Sequence, residues 1–498
     1  MKKQKDQKVF FISLFVVFSI VLWGILDSEG FGRASAGVFN FLVDKFGWFY
    51  LLSMFSFVVF SVVLAFSKYG RIRLGPDDSE PEYSYISWFA MLFSAGMGIG
   101  LVFWGVAEPL NHFMAPLGIE AGTPAAADFA IKKSFFHWGL HPWANYSVMG
   151  LALAYFQFRK NKPGLISSVF YPLIGEKGVK GPIGHAIDIL AIFATVAGVA
   201  TSLGLGTLQI NSGLSHLFGV PNHIPIQISI IAIITIMFML SAVTGIDKGI
   251  KWLSNINLSL AALLMLLGVL IGPSAMIINV FTNGLGLYLG DLIRDSFYVE
   301  AFGDSSWLGG WTIFYWAWWI AWAPFVGTFI ARISKGRTIR EFIAGVLLLP
   351  TLGSFLWFAT FGTLGINLGP DVASEAIKST PTAFFVVMSH YPMGGILSFV
   401  AVILLCTFFV TSADSATFVL GMMSANGALN PNTGRKVVWA VIQSLLAFVL
   451  MLAGGLGALQ TASIAAAFPF TIVMIFCMVS LMKELGQEQG IRHKENSF

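Results

Sequence analysis

The chain has 498 residues, of which 56% are hydrophobic and only 11% charged. Soluble domains carry about 25% charged residues, so these proportions exclude a soluble globular protein and describe an integral membrane protein. The net charge of +4 says little alone, and Cys406 and Cys477 both lie in apolar runs, which points away from a disulfide framework or a thiolate metal site.

The first apolar run, Val9 to Leu26, follows a lysine-rich start, and Ala34-Ser35-Ala36 has the form of a cleavage site. The run is longer than the roughly 7–15 residues of a signal-peptide core and ends well before that site, so it is predicted to be a retained transmembrane helix. Twelve runs are long enough to cross about 30 Å of hydrocarbon. They fall near 9–26, 47–66, 86–110, 134–157, 187–215, 223–244, 252–279, 307–331, 341–366, 394–423, 436–455 and 462–482. Lipid cannot satisfy free backbone groups, so each span is helical, and the alternating pattern of an outer-membrane barrel is absent. Residues 281–297 carry Asp291, Arg294 and Asp295 among apolar positions and are predicted to form an interfacial helix. The tail after Leu481 is mixed in charge and reads as solvated cytoplasm or a regulatory segment. With the N-terminus in the cytoplasm, the outer loops hold only Arg33, Lys45, Lys132, Lys133, Arg294 and Lys378, leaving 23 of the 29 basic residues inside. That asymmetry places both termini in the cytoplasm, in a cell membrane crossed many times.

Some spans contain residues that a plain apolar helix avoids. In the third, Ser94-Ala95-Gly96-Met97-Gly98-Ile99-Gly100 sets glycines at alternate positions, and Pro109 follows. Glycine costs about 1 kcal/mol relative to alanine in a helix, so the stretch is predicted to unwind, unless it serves close helix packing. An opened helix offers backbone N–H groups to an anion such as a carboxylate. The eighth span carries five tryptophans between Trp311 and Trp322, then Pro324 and Gly327. Tyr315, Trp318, Trp319 and Trp322 stand at i, i+3, i+4 and i+7, on one stripe. An interfacial belt accounts for one or two such rings, whereas a stripe over several turns suits a quaternary ammonium. Interrupted third and eighth spans about 225 residues apart are the pattern of an inverted-repeat transporter with a midplane site.

The fourth span adds Trp138, Trp143 and Tyr146. His137 and His141, at i and i+4, form a metal-like pair that lacks a third ligand. In the tenth span, Phe408-Phe409-Val410-Thr411-Ser412 brings hydroxyls that either receive a small hard cation or bond back to their own helix. No P-loop and no nucleophile–base–orienter set is present in the sequence, so neither an ATP-driven pump nor an enzyme is indicated.

Gly96-Met97-Gly98-Ile99-Gly100-Leu101, Gly105-Val106-Ala107-Glu108-Pro109 and Trp311-Thr312-Ile313-Phe314-Tyr315-Trp316-Ala317-Trp318-Trp319 resemble the signatures of the betaine/carnitine/choline transporters. Gly454-Gly455-Leu456 and Leu459-Gln460 extend the likeness to the end of the chain. The resemblance implies an all-α membrane protein of twelve helices, with a leucine-transporter-like five-plus-five inverted repeat. Its parts are expected at 1–84 (tail and two additional helices), 85–280 (first repeat), 281–306 (connector), 307–482 (second repeat) and 483–498 (cytoplasmic tail). By resemblance, Trp138, Trp143, Tyr146, Trp318, Trp319 and Trp322 form the substrate box, beside Gly96, Met97, Gly98, Ile99 and Gly100. A family sodium site maps to Ser94, Met97, Phe408, Thr411 and Ser412. A second maps to Thr195 and Phe325, but its other threonine is replaced by Val199, which has no side-chain oxygen; Thr201 and Ser202 are the nearby substitutes.

Glycine at position 100 resembles the glycine betaine carriers, since choline carriers of the family tend to have an acid there. A lone cation gains from a nearby acid, whereas a zwitterion is repelled at its carboxylate. The resemblance therefore implies a sodium-coupled symporter of glycine betaine in osmoprotection, in trimers, with no cofactor beyond the coupling ion. The alternative is a proton- or sodium-driven carrier of choline, carnitine or proline betaine. Glu108, Asp188 and Asp414 are the intramembrane acids available for proton coupling.

Overall fold

The computed structural model describes residues 7–96, 98–244, 247–428 and 430–495, with only the backbone for 94–96, 247–251 and 489–495. Among the described residues the regular secondary structure is all helical, apart from one isolated backbone bridge between Arg73 and Thr338. In chain order the helices are α1 (Lys8–Leu26), α2 (Ser28–Phe66), α3 (Tyr85–Gly96), α4 (Ile99–Met114), α5 (Pro124–Trp138), α6 (Leu140–Ala154) and α7 (Tyr171–Val179). There follow α8 (Pro182–Phe218), α9 (Ile224–Thr244), α10 (Asp247–Ile271), α11 (Ser274–Ser296), the single turn α12 (Ser306–Leu308), α13 (Phe314–Ile333) and α14 (Ile339–Ile366). Last come α15 (Pro370–Ala376), α16 (Ala383–Met388), α17 (Gly394–Met423), α18 (Thr433–Gly454) and α19 (Leu456–Glu495).

Among the described residues, eleven helical stretches are long and apolar enough to cross a membrane. Ten coincide with predicted spans and the eleventh is α11. The remaining two predicted spans, the third and fourth, are each divided into shorter helices, α3/α4 and α5/α6. Phe15, Ile233, Leu266 and Phe476 point outward, forming an apolar surface that suits lipid rather than water. The interior is lined by α4, α6, α8, α13 and α17, most of whose residues are buried.

Several boundaries move for local reasons. Asp27 caps α2 by accepting from the Gly30 N–H at 2.8 Å, so that helix begins well before residue 47. Pro273 ends α10 at Ile271, and α11 starts at Ser274 rather than 281. α11 lies on α5: Gly284 faces Ile131 and Phe135, and Lys132 meets Asp291 at 2.6 Å and Asp295 at 3.4 Å. Thr338 and Glu341 form a reciprocal capping box that starts α14.

The eighth span is not broken at Pro324 and Gly327 as predicted. α13 runs through both, and the irregularity lies at the start of the tryptophan stretch, as a π-helical turn at Gly309–Ile313 that includes Trp311. A single proline removes one backbone donor but leaves the neighbouring turns able to continue. The tail also differs: α19 continues beyond the predicted end of the twelfth span, and Leu485 and Glu488 are buried. Glu488 accepts from Arg159 Nε at 2.7 Å and from the Tyr155 hydroxyl at 2.5 Å, while Lys160 meets Glu484 at 2.9 Å. Arg159 also donates to the Gly75 carbonyl at 2.7 Å and to Asp77 at 2.9 Å. At the same end, Leu74 N–H donates to the Arg337 carbonyl at 2.8 Å and Ile339 N–H to that of Ile72 at 2.9 Å. The basic segments that charge counting assigns to one side are thus fastened together.

Removing one partner of a buried ion pair leaves the other uncompensated, at a cost of about 3 kcal/mol. Glu488→Ala should therefore lower the thermal unfolding midpoint of the purified protein by several degrees, measured by fluorescence in detergent; an unchanged midpoint would mean that the α19 extension is not held through this contact.

Candidate functional site

Two helix interruptions make the site. The first separates α3, which ends at Gly96, from α4, which begins at Ile99. Gly98 is extended (φ −140°, ψ −152°), so α4 begins at Ile99 with its first N–H groups lacking intrahelical acceptors. The second lies at Gly139 (φ −93°, ψ −134°), between α5 and α6. A side chain there would meet the Phe135 carbonyl at 2.6 Å, which makes glycine the fitting residue. The Tyr288 hydroxyl receives the Leu140 N–H freed at this break, at 3.0 Å.

A cavity of about 40 Å³ lies where these interruptions meet α8, α13 and α17. Gly98, Ile99, Gly100, Trp138, Tyr146, Trp318, Trp319 and Trp322 line it, with Ser202 and Ser412. Trp138 stands nearly at right angles to Trp318 (centroids 6.2 Å apart, 89°) and to Trp319 (5.1 Å, 85°). Tyr146 meets Trp319 edge to face at 5.5 Å. Each wall indole is tied back through its N–H: Trp138 to Glu108 at 2.8 Å, Trp318 to Ser202 at 3.2 Å, Trp319 to the His137 carbonyl at 3.1 Å and Trp322 to the Gly198 carbonyl at 2.8 Å. Ring carbons therefore form the wall, an electron-rich surface for an organic cation. The N-terminus of α4 supplies the opposite polarity for an anionic group.

Five of the six predicted box residues face this cavity. Trp143 does not; it is fully buried behind the wall, 5.6 Å from Tyr146 and 6.5 Å from Trp319. Met97 lies outside the described residues, and for Ser94 and Gly96 only the backbone is described. Ser412 lies close to Gly98, so this α17 hydroxyl and the opened helix are neighbours. Thr411 Oγ1 bonds to the carbonyls of Thr407 at 3.1 Å and Phe408 at 3.2 Å, and accepts from Asn257 Nδ2 at 3.1 Å. At the predicted second sodium position, Thr195 Oγ1 donates to its own helix at Ala191 (2.8 Å), and Phe325 packs on Trp322 at 5.4 Å. Thr201 is engaged with Ala197, Leu459 and Ser463, and Ser202 with Trp318, so both potential substitutes have other partners.

His137 and His141 do not act as an i, i+4 pair, because Gly139 divides their helices. His141 instead meets Ser296 at 2.9 Å. His137 turns to Glu108 at 2.6 Å, and with His112 these groups place possible metal-ligating atoms within 4.8 Å of one another. Tyr315 and Trp138 also donate to Glu108, which makes the cluster a hydrogen-bonded carboxylate. Sequence reasoning missed Gly198 and the Trp318 partner role of Ser202; both are small residues in a long apolar helix, with no local pattern to mark them.

Gly100 has a steric role as well. A Cβ there would come within 2.5 Å of Trp318 Cη2 and 3.0 Å of Trp138 Cη2.

A many-helix membrane protein with an aromatic cavity at helix interruptions has the makings of a small-molecule transporter. Comparison with known proteins agrees. The model of the BCCT, betaine/carnitine/choline family transporter, matches residues 8–490. The chain is 50% identical to the glycine betaine transporter OpuD of Bacillus subtilis, over 97% of this chain and 94% of the relative. It is 44% identical to the ectoine/hydroxyectoine transporter of Virgibacillus pantothenticus, over 99% and 100%. Against glycine betaine transporter 1 of Vibrio parahaemolyticus, identity is 42% over 96% and 92%. The chain belongs to the betaine/carnitine/choline transporter family, and is a multi-pass membrane transporter rather than an enzyme.

Gly100→Ala should force Trp318 outward and raise the KM for the transported substrate about tenfold, with membrane abundance unchanged. Concentration-dependent uptake in vesicles checks this, and an unaltered KM would remove the two rings from the binding surface.

Proposed function

We propose that the protein is a sodium-coupled symporter that imports glycine betaine as a compatible solute by alternating access. The observation that carries this reading is the cavity itself: indole walls for a methylated ammonium lie against an opened helix whose N–H groups suit a carboxylate. A zwitterion needs both poles, and Gly100 brings no acid that would repel its carboxylate. Relatives described as glycine betaine transporters at 50% and 42% identity support the choice. The 44% identical ectoine/hydroxyectoine transporter makes ectoine the informative competitor.

In this reading the substrate occupies the space between Trp138, Tyr146, Trp318, Trp319 and Trp322, with its carboxylate toward Gly98–Gly100. Sodium binds where Thr411 and Ser412 face the opened third span, with Ser94, Met97 and Phe408 supplying backbone oxygen. Coupling follows because the ion and the substrate share one opened helix. We assign residues 85–280 and 307–482 to two inverted repeats joined by an interfacial connector (281–306), after an N-terminal pair of helices (1–84), with both termini cytoplasmic and the chain assembled as a homotrimer. The fastening of the basic segments at one end supports this orientation.

Uptake of labelled glycine betaine, choline, carnitine and ectoine into proteoliposomes, with a sodium or a proton gradient alone, tests the whole reading. Betaine uptake driven by sodium is the expected result; uptake driven by protons alone would overturn the coupling. Trp322→Leu should raise the betaine KM at least about tenfold while leaving insertion intact, and unchanged kinetics would take that ring out of the site. Replacing Thr411 and Ser412 together by alanine should shift the sodium activation curve to higher concentration by about tenfold or more, and an unaltered sodium titration would remove both hydroxyls from the ion site.

A further inference from the structure

Glu108 is fully buried on α4, yet no lysine or arginine pairs with it among the described residues. Its charge is met by hydrogen-bond partners on two other helices and its own. Oε2 accepts from Trp138 Nε1 at 2.8 Å and from the Tyr315 hydroxyl at 2.6 Å. Oε1 lies 2.6 Å from His137 Nδ1 and 3.3 Å from His112 Nε2. The Thr312 hydroxyl meets the other nitrogen of His137 at 2.9 Å, which fixes that ring from behind. Four polar groups thus converge on the four lone-pair positions of one carboxylate.

The place of Trp138 makes this anchor matter. It is the last residue of α5, directly before the Gly139 break, so the helix does not continue past it to hold its backbone. Its ring nevertheless stands upright between Trp318 and Trp319. A charged acceptor on the indole N–H is a stronger tether than a neutral one, and in a dry interior its field is poorly screened. A carboxylate at the N–H end also pushes electron density into the ring, and ring attraction for a cation is electrostatic.

We propose that Glu108 is a positioning residue for substrate recognition: it orients Trp138 through the indole N–H and makes that ring more attractive to the cationic end of the substrate. This rests on the aromatic cavity being the substrate site. Glu108 itself touches no substrate; its effect passes through Trp138.

The test is a double-mutant cycle of Glu108→Gln and Trp138→Phe, read as sodium-driven glycine betaine uptake into proteoliposomes and normalised to folded transporter. Glu108→Gln should raise KM about tenfold with Vmax within about twofold of the parent, because the substrate pocket loosens while the transport cycle remains. In the Trp138→Phe background, which has no N–H to hold, the same change should alter KM by less than about twofold. A KM unchanged by Glu108→Gln, or raised equally in both backgrounds, would overturn the proposal. Should Glu108→Gln fail to fold, Glu108→Asp carries the same cycle: it keeps the charge but withdraws it by one methylene, and its KM effect should again vanish without the indole. Trp322→Leu, measured in the same vesicles, separates the two readings. If it raises KM while Glu108→Gln does not, only the role of Glu108 fails; if neither has an effect, the cavity is not the substrate site.

Discussion

An indole carries a polar N–H that a membrane interior will not solvate, and this constraint shapes the centre of the molecule. Four tryptophans line one cavity, and each N–H is paid for by a different acceptor: a carboxylate, a hydroxyl and two backbone carbonyls. Those acceptors belong to α4, α5 and α8, so satisfying the indoles also fixes how these helices stand around α13. The aromatic wall is consequently a structural joint as well as a recognition surface. Trp138 meets both Trp318 and Trp319 nearly at right angles.

Glycine supplies the complementary condition. The indoles come close only where no side chain intervenes, at Gly100 beneath Trp318 and Trp138 and at Gly198 beneath Trp322. The helix breaks act in the same region. At Gly98 and Gly139 the chain gives up helical hydrogen bonds, and some of the freed groups are taken by tertiary partners such as Tyr288. A membrane protein tolerates such breaks only where protein, rather than lipid, surrounds them. The cavity, at about 40 Å³, has room for roughly three waters.

Far from the cavity, one end of the bundle is held by charge. Arg159 joins the stretch after α2 to Glu488 on α19, and residues 72–74 clasp 336–339 through backbone bonds. These contacts link the chain after α6 and the start of α14 to the stretch after α2, and Arg159 carries the link on to the long C-terminal helix. The opposite end carries Lys132 and Lys133 against Asp291 and Asp295, where α11 lies on α5.

The sequence by itself determined a helical membrane protein, ten of its continuous spans, the stripe of rings on α13 and the opened third span, because hydrophobic length and glycine spacing are local properties. It also carried the family motifs, and with them most of the cavity wall. Only the tertiary structure decided that the fourth span breaks at Gly139 while the eighth runs through Pro324, since a break survives where neighbours satisfy the freed groups and a proline is absorbed where they keep the turns in place. It alone turned His137 away from His141 and toward Glu108, and withdrew Trp143 behind the wall. Those outcomes depend on which residues from distant helices arrive at one point, and nothing in local periodicity contains that information.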